Sequence, residues 1–132
     1  MQHPEIVKIS ENEYFFGTDK VTHIGNSILV VETQGDQTPE LVDLIKNNYH
    51  EFFNLFGGKV KLLVDLDHIG KNPPVARRLW TEVARDPLTT KLAVYGMHPV
   101  ARVLASFIMG TTHISKYRFF ESKEEALNWL KQ

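Results

Sequence analysis

Hydrophobic positions in the first third of the chain change their spacing once, and this change separates a strand region from a helix. Residues 14–24 and 27–34 are rich in aromatic and β-branched side chains, which is typical of strands. The pair Gly25-Asn26 lies between the two segments and favours a tight turn. The pattern predicts two antiparallel strands joined by this turn.

From Thr38 onwards the apolar positions recur at intervals of three and four, which indicates an amphipathic helix. Thr38 is a favourable N-cap residue, and Pro39 suits the first helical turn. The pair Gly57-Gly58 predicts the end of the helix. The apolar face of this predicted helix consists of Leu41, Leu44, Ile45, Tyr49, Phe52, Phe53 and Phe56.

The rest of the chain alternates between strand-like and helix-like segments. Residues 59–66 are a nearly continuous apolar run, typical of a central strand buried on both faces, and 67–74 are predicted to form a loop. Two further strands are predicted at 91–96 and 117–120. Helices are predicted at 75–85, at 99–110 and after the capping box formed by Ser122 and Glu125. The order β-β-α-β-α-β-α-β-α predicts an α/β fold, with a mixed sheet of about five strands covered by about four helices.

Length and composition narrow the class of protein. The chain has 132 residues, 42% hydrophobic and 23% charged, which predicts one soluble domain over residues 1–132. It contains no cysteine, which excludes a disulfide framework and a thiol nucleophile. The net charge of −1 argues against nucleic-acid binding as the main role. No signal segment or apolar run of membrane-spanning length is visible, so a cytoplasmic location is predicted.

The near-zero net charge hides an uneven distribution. Residues 1–58 hold 3 basic and 9 acidic side chains, whereas residues 59–120 hold 10 basic and 4 acidic ones. The basic residues of the middle segment include Lys71, Arg77, Arg78, Arg85, Arg102, Lys116 and Arg118. Such a split could attract an anionic ligand, a phosphorylated partner or lipid headgroups, or make two copies complementary. The simpler interpretation is that these charges cover solvated faces of a compact fold.

Few residues form a catalytic pattern. The phosphate-binding loop and the Gly-x-Ser-x-Gly nucleophile motif are both absent from the sequence. Asp65, Asp67 and His68 follow a predicted buried strand, where they could bind a cation or act as acid and base. The alternative is a polar strand end whose carboxylates accept bonds from loop N–H groups. The six histidines show no metal-ligand spacing, so we predict neither a metal nor a cofactor.

The predicted helix 99–110 is unusually apolar. Its hydrophobic residues, Val100, Val103, Leu104, Phe107 and Ile108, occupy most of the helix circumference. A helix that lies on a sheet needs to bury only one face. The remaining surface therefore predicts contact with a second copy, an apolar ligand, a bilayer surface or another helix of the chain.

The order and the residue composition of the predicted elements resemble those of the SpoIIAA-like group. This group includes the STAS domains of anti-sigma-factor antagonists and the lipid-binding Sec14 (CRAL-TRIO) proteins. The resemblance rests on the element order, on segment 59–66 with its Asp-Leu ending, on segment 91–96 and on segment 118–130. STAS antagonists typically carry an Asp-Ser-Ser-Gly motif with a phosphorylatable serine. The corresponding positions here are Pro73-Pro74-Val75-Ala76, so the resemblance does not imply a phosphorylation switch.

The resemblance implies a non-enzymatic regulatory module that binds other proteins, forms a homodimer and docks through residues 67–78 and the helix 99–110. The first alternative is Sec14-like binding of a lipid or other apolar ligand, or association with the membrane surface, with Arg102 or Lys116 near an anionic headgroup. The second is a small enzyme that uses Asp65, Asp67 and His68. The predicted binding residues are Asp67, His68, Arg77, Arg78, Val100, Arg102, Val103, Leu104, Phe107 and Ile108.

Overall fold

The computed structural model describes residues 4–25, 27–96, 99, 102–103 and 116–132. Its strands are β1 (Ile6–Ser10), β2 (Glu13–Phe16), β3 (Asp19–Ile24), β4 (Ile28–Gly35), β5 (Val60–Ile69), β6 (Thr89–Tyr95) and β7 (Tyr117–Phe120). Its helices are α1 (Pro39–Asn54), α2 (Pro74–Arg85) and α3 (Lys123–Lys131). No helix of these described ranges is long and apolar enough to span a membrane.

The seven strands form one mixed sheet in the order of the sequence, from β1 to β7. Neighbouring strands from β1 to β4 pair antiparallel, and those from β4 to β7 pair parallel. The predicted α/β class with a mixed sheet is confirmed. The strand count differs, because the sheet has seven strands in the described ranges and not the predicted five or so.

The first predicted strand is in fact two strands. Gly17 has a φ of +60°, a conformation that glycine adopts readily and that reverses the chain between β2 and β3. Phe16 therefore lies opposite Asp19 in an antiparallel pair. The short strand β1 was not predicted at all, since its residues are exposed and carry little alternation. The prediction of a loop at 67–74 was also wrong for its first three residues, because β5 continues to Ile69 beside β4.

Helices α1 and α3 begin at side-chain caps that are visible in the sequence. The Thr38 hydroxyl accepts a hydrogen bond from Leu41 N–H (3.2 Å) at the start of α1. The Ser122 hydroxyl accepts one from Glu125 N–H at the start of α3. At α2 the N-cap position is Pro73, which provides no side-chain cap.

The helices cover opposite faces of the sheet. Both α1 and α2 pack against one face and form the larger core, whereas α3 packs against the other face over a smaller core. Consecutive parallel strands joined by right-handed crossovers place α1 and α2 on the same side. The larger core contains Phe16, Leu29, Leu62, Trp80 and Val94, and the smaller one contains Ile28, Leu63, Ala93, Ala126 and Leu130.

Most of the predicted apolar helix 99–110 lies outside the described residues. Of its positions only Pro99, Arg102 and Val103 are described, and all three are helical. Val100, Leu104, Phe107 and Ile108 lie outside them.

Candidate functional site

The predicted residues at the end of β5 belong to a row of polar groups across the sheet. Glu32, Asp65 and Tyr95 are register partners on adjacent parallel strands, so their side chains share the α3 face. The N–H of Asp67 donates to the Asp65 carboxylate (2.9 Å), and Lys123 of α3 forms an ion pair with Glu32 (3.7 Å). This network is internal to the protein and holds the N-terminus of α3 near the sheet.

Burial is the main cause of the shifted pKa values of Asp65 and Tyr95 in this row. Burial raises the pKa of Asp65, the hydrogen bond from Asp67 N–H opposes the rise, and the negative charge of Asp67 adds to it. Burial, and then the charge of Asp67 and the hydrogen bond to it, raise the pKa of Tyr95.

Asp65 and Asp67 lie together at this strand end, where the N–H of Asp67 donates to the Asp65 carboxylate. The pairing of β5 with β4 shifts between Asp65 and His68, so the regular alternation of side chains does not hold here. No cluster of three potential metal-ligating side chains is found in the described part of the chain. These residues therefore fit the alternative interpretation of a polar strand end.

Arg77 and Arg78 lie on α2, beside a groove between α1 and α2. Arg78 is exposed, and the Arg77 guanidinium donates to the carbonyl oxygen of Asn72 (2.8 Å). The groove is lined by Lys46, Tyr49, His50, Pro74, Arg77, Arg78, Thr81, Glu82, Arg85 and Asp86. Four of these residues are lysine or arginine and two are acidic, so the groove is cationic.

The end of this groove is organised around Asp86. Its carboxylate accepts hydrogen bonds from Tyr49 (2.8 Å), from His50 and from Leu88 N–H (2.9 Å). Burial alone would raise the pKa of Asp86, but the bonds from His50, Leu88 and Tyr49 together hold it below its usual value. Burial and the bond to Asp86 raise the pKa of Tyr49.

Sequence reasoning missed Tyr49 and His50 as groove residues. The sequence placed Tyr49 only on the apolar face of the first predicted helix. The available signal was the spacing of Lys46, Tyr49 and His50, which are three and four positions apart and share one side of α1.

Arg102 lies at β7 and not at this groove. Its guanidinium is 4.7 Å from the ring centroid of Phe119 and forms an ion pair with Glu121. Val103 is 57% exposed. Docking through the helix 99–110 stays a prediction, since its other apolar residues lie outside the described ranges.

A small cavity lies in the larger core, between the sheet and the helices α1 and α2. Its volume is about 40 Å³, far below the roughly 300–1,000 Å³ of pockets that hold small molecules. Asp19 contributes to its lining and accepts bonds from Gln34 N–H (3.0 Å) and the Gln37 amide (3.2 Å). The second carboxylate oxygen of Asp19 has no hydrogen-bond partner in the described part of the chain.

Comparisons with known proteins place the fold. A family model described as "Domain of unknown function (DUF7793)" matches residues 22–132. No curated protein matches the chain.

Two solved structures share the architecture, each with a TM-score of 0.63. One is an uncharacterized protein of the DUF3478 family with a SpoIIAA-like fold from Shewanella loihica PV-4; it is 18% identical, and the match covers 86% of this chain and 92% of that one. The other is the anti-sigma factor antagonist SpoIIAA in its unphosphorylated form; it is 11% identical, with 86% and 98% covered. The SpoIIAA-like fold expected from the sequence is confirmed.

Proposed function

We propose that this chain, which belongs to the DUF7793 family and has the SpoIIAA-like (STAS) fold, is a non-enzymatic regulatory module that docks a partner protein through α2 and the loop before it. The likeness to the anti-sigma factor antagonist SpoIIAA supports a regulatory role. The partner is expected to present an anionic surface, because the docking region is cationic.

The observation that carries this proposal is the outward face of α2. Arg78 is exposed and forms no ion pair with a described residue. The opposite face of α2 buries Leu79, Trp80 and Val83 in the core, which fixes the orientation of the helix. A rigid helix that presents cations to solvent suits recognition of an anionic partner.

The loop before α2 is held by backbone bonds. Gly70 N–H donates to the carbonyl of Gly35 (2.7 Å), and Lys71 N–H donates to the Asp36 carboxylate (2.7 Å). Pro73 and Pro74 then restrict the entry into α2. No hydroxyl is present at 73–76, so we expect docking here to occur without phosphorylation of these residues.

Site-specific cross-linking tests the proposal. A photoreactive amino acid replaces Glu82, an exposed residue of the same groove, so that Arg78 stays in place, and a matched variant carries it at Arg118, which is exposed on β7. We expect one protein to be captured in cells from position 82 and not from position 118, and Arg78→Glu to abolish both this capture and the co-purification of that protein with the otherwise unlabelled chain. Equal capture at both positions, or none from either, would contradict docking through α2.

Self-association through the predicted helix 99–110 is the second part of the proposal. Leu104→Glu and Phe107→Glu should convert a dimer into a folded monomer in native mass spectrometry. Variants that remain dimeric would show that this helix is not the interface. The same spectra would reveal a bound lipid, the alternative that the small core cavity does not favour.

A further inference from the structure

The groove between α1 and α2 has cations on both of its walls. Lys46, Tyr49 and His50 are spaced by three and four residues, so they form one side of α1. Arg78, Thr81 and Arg85 have the same kind of spacing and form the facing side of α2. Positive charge therefore comes from two rigid helices.

The two acidic residues of the groove offset only part of the charge of its four lysine and arginine residues. The Asp86 carboxylate is already engaged by Tyr49, His50 and a backbone N–H. Glu82 is the other acidic residue of the lining. Lys46 and Arg78 form no ion pair with any residue in the described ranges, which leaves two cations on opposite walls for a ligand.

Asp86 also fixes the ring of His50. It accepts a hydrogen bond from Nε2 of His50, whose side chain is 59% exposed. A histidine held by a carboxylate keeps a defined ring orientation at the mouth of the groove.

From this arrangement we propose that the groove binds a phosphoryl group carried by a serine or threonine residue of the partner protein. The inference rests on the proposed function and specifies the chemistry of its partner. A phosphoryl group has a charge near −2 and three acceptor oxygens, so it matches the two cations Lys46 and Arg78 in charge and can accept hydrogen bonds from both. A carboxylate has one charge and two oxygens and would leave part of this donor set unused.

Titration with small probes tests the groove directly. The probes are N-acetyl-phosphoserine methylamide and the corresponding glutamate derivative, added to the ¹⁵N-labelled full chain and followed by NMR. We expect saturable shifts at His50, Lys46 and Arg78, with the phosphoserine probe binding about tenfold more tightly than the glutamate probe.

Substitutions on each wall show whether phosphoserine binds at the groove or is attracted only by the overall positive charge of the protein. Arg78→Gln and Lys46→Gln should each weaken phosphoserine binding about tenfold, since each removes a charge-assisted contact. Arg118→Gln removes an exposed arginine outside the groove and should leave binding unchanged. All three side chains are solvent-accessible, and unchanged amide spectra would verify folding. Equal weakening by Arg118→Gln, or no saturable shift at the groove, would overturn the inference.

Two further experiments distinguish a phosphorylated protein from a membrane surface as the ligand. Vesicles of phosphatidylglycerol should not compete for the groove; if they displace phosphoserine and depend on Arg78 and Lys46, the surface recognises a membrane and the inference is wrong. Phosphatase treatment of the cell lysate before irradiation should prevent cross-linking of the partner at position 82. A partner whose capture survives this treatment would refute the phosphoryl ligand and retain the docking function. Phosphoserine binding without any captured partner would support the phosphoryl site and contradict the docking function.

Discussion

Replacing Asp19 by asparagine should remove one component of the pH dependence of folding. Asp19 is only 1% exposed, and burial raises its pKa to about 6, against 3.8 for an ordinary aspartate, despite hydrogen bonds from Gln34 and Gln37 that favour the charged form. The raised pKa means that the folded protein binds this proton more tightly than the unfolded chain does. Stability from this group is therefore fully present below pH 3.8 and is lost as the pH rises through 6.

The size of this effect follows from the two pKa values. A difference of about two pH units corresponds to about 3 kcal/mol in the free energy of unfolding. Asparagine preserves the oxygen that accepts from Gln34 and Gln37, but places an NH₂ group at the buried, unpartnered position. That group costs about 1–3 kcal/mol at every pH. The variant should thus differ from the wild type by an amount that changes with pH.

Urea unfolding between pH 4 and 8, followed by fluorescence of Trp80 and Trp129, measures the difference. We expect the stability of the wild type relative to Asp19→Asn to fall by about 2 kcal/mol between pH 4 and 7, because at pH 4 this aspartate is already more than half ionised in the unfolded chain. Asp43→Asn, at an exposed position of α1, is the control and should show no such change. A wild-type advantage that stays constant over this range would refute the argument that Asp19 is buried with its charge poorly compensated.

Three other substitutions test the packing and capping described above. Gly70→Ala would bring a Cβ within 2.3 Å of the Asp36 carboxylate and 2.8 Å of a backbone carbon, so it should lower stability by about 1–3 kcal/mol in urea unfolding, whereas Gly25→Ala, with open space around it, should not lower it through a clash. Ser122→Ala removes the α3 cap and should cost about 1 kcal/mol by the same assay. Leu130→Ala empties a fully buried position under α3 and should cost about 2–5 kcal/mol in thermal or urea unfolding.

The parallel half of the fold was predictable because its signals are local. Strand β5 is a continuous apolar run, and α1 and α3 begin at Thr38 and Ser122, whose hydroxyls cap them as predicted. The antiparallel half was less predictable. The turn at Gly17 divides a stretch that is uniformly rich in aromatic and β-branched residues, and the edge strand β1 buries none of its side chains.

The candidate site could be predicted only in part, because it joins residues from two helices. Arg77 and Arg78 were predicted from their charge. His50 was not, since its role depends on contact between α1 and the residue that follows α2. The sequence pattern predicts which residues share a face of one helix, but it does not predict which faces of two helices pack together. Asp67 and His68 stay predicted binding residues, and the irregular pairing of β5 with β4 at this point could not be foreseen from the sequence.

The uneven charge of the sequence has a different meaning in three dimensions. Several basic residues of the middle segment bind groups within the protein: Lys91 donates to two carbonyls at the C-terminus of α3, and Lys116 donates to two carbonyls between α2 and β6. Arg102 forms an ion pair with Glu121. These side chains already bind groups within the protein. The number of basic residues in the middle segment therefore overstates the positive charge that is available to a partner. The cations left without an ion pair among the described groove residues include Arg78 from the basic segment and Lys46 from the acidic one. The groove is therefore produced by the packing of α1 against α2 and not by the charge of either segment alone.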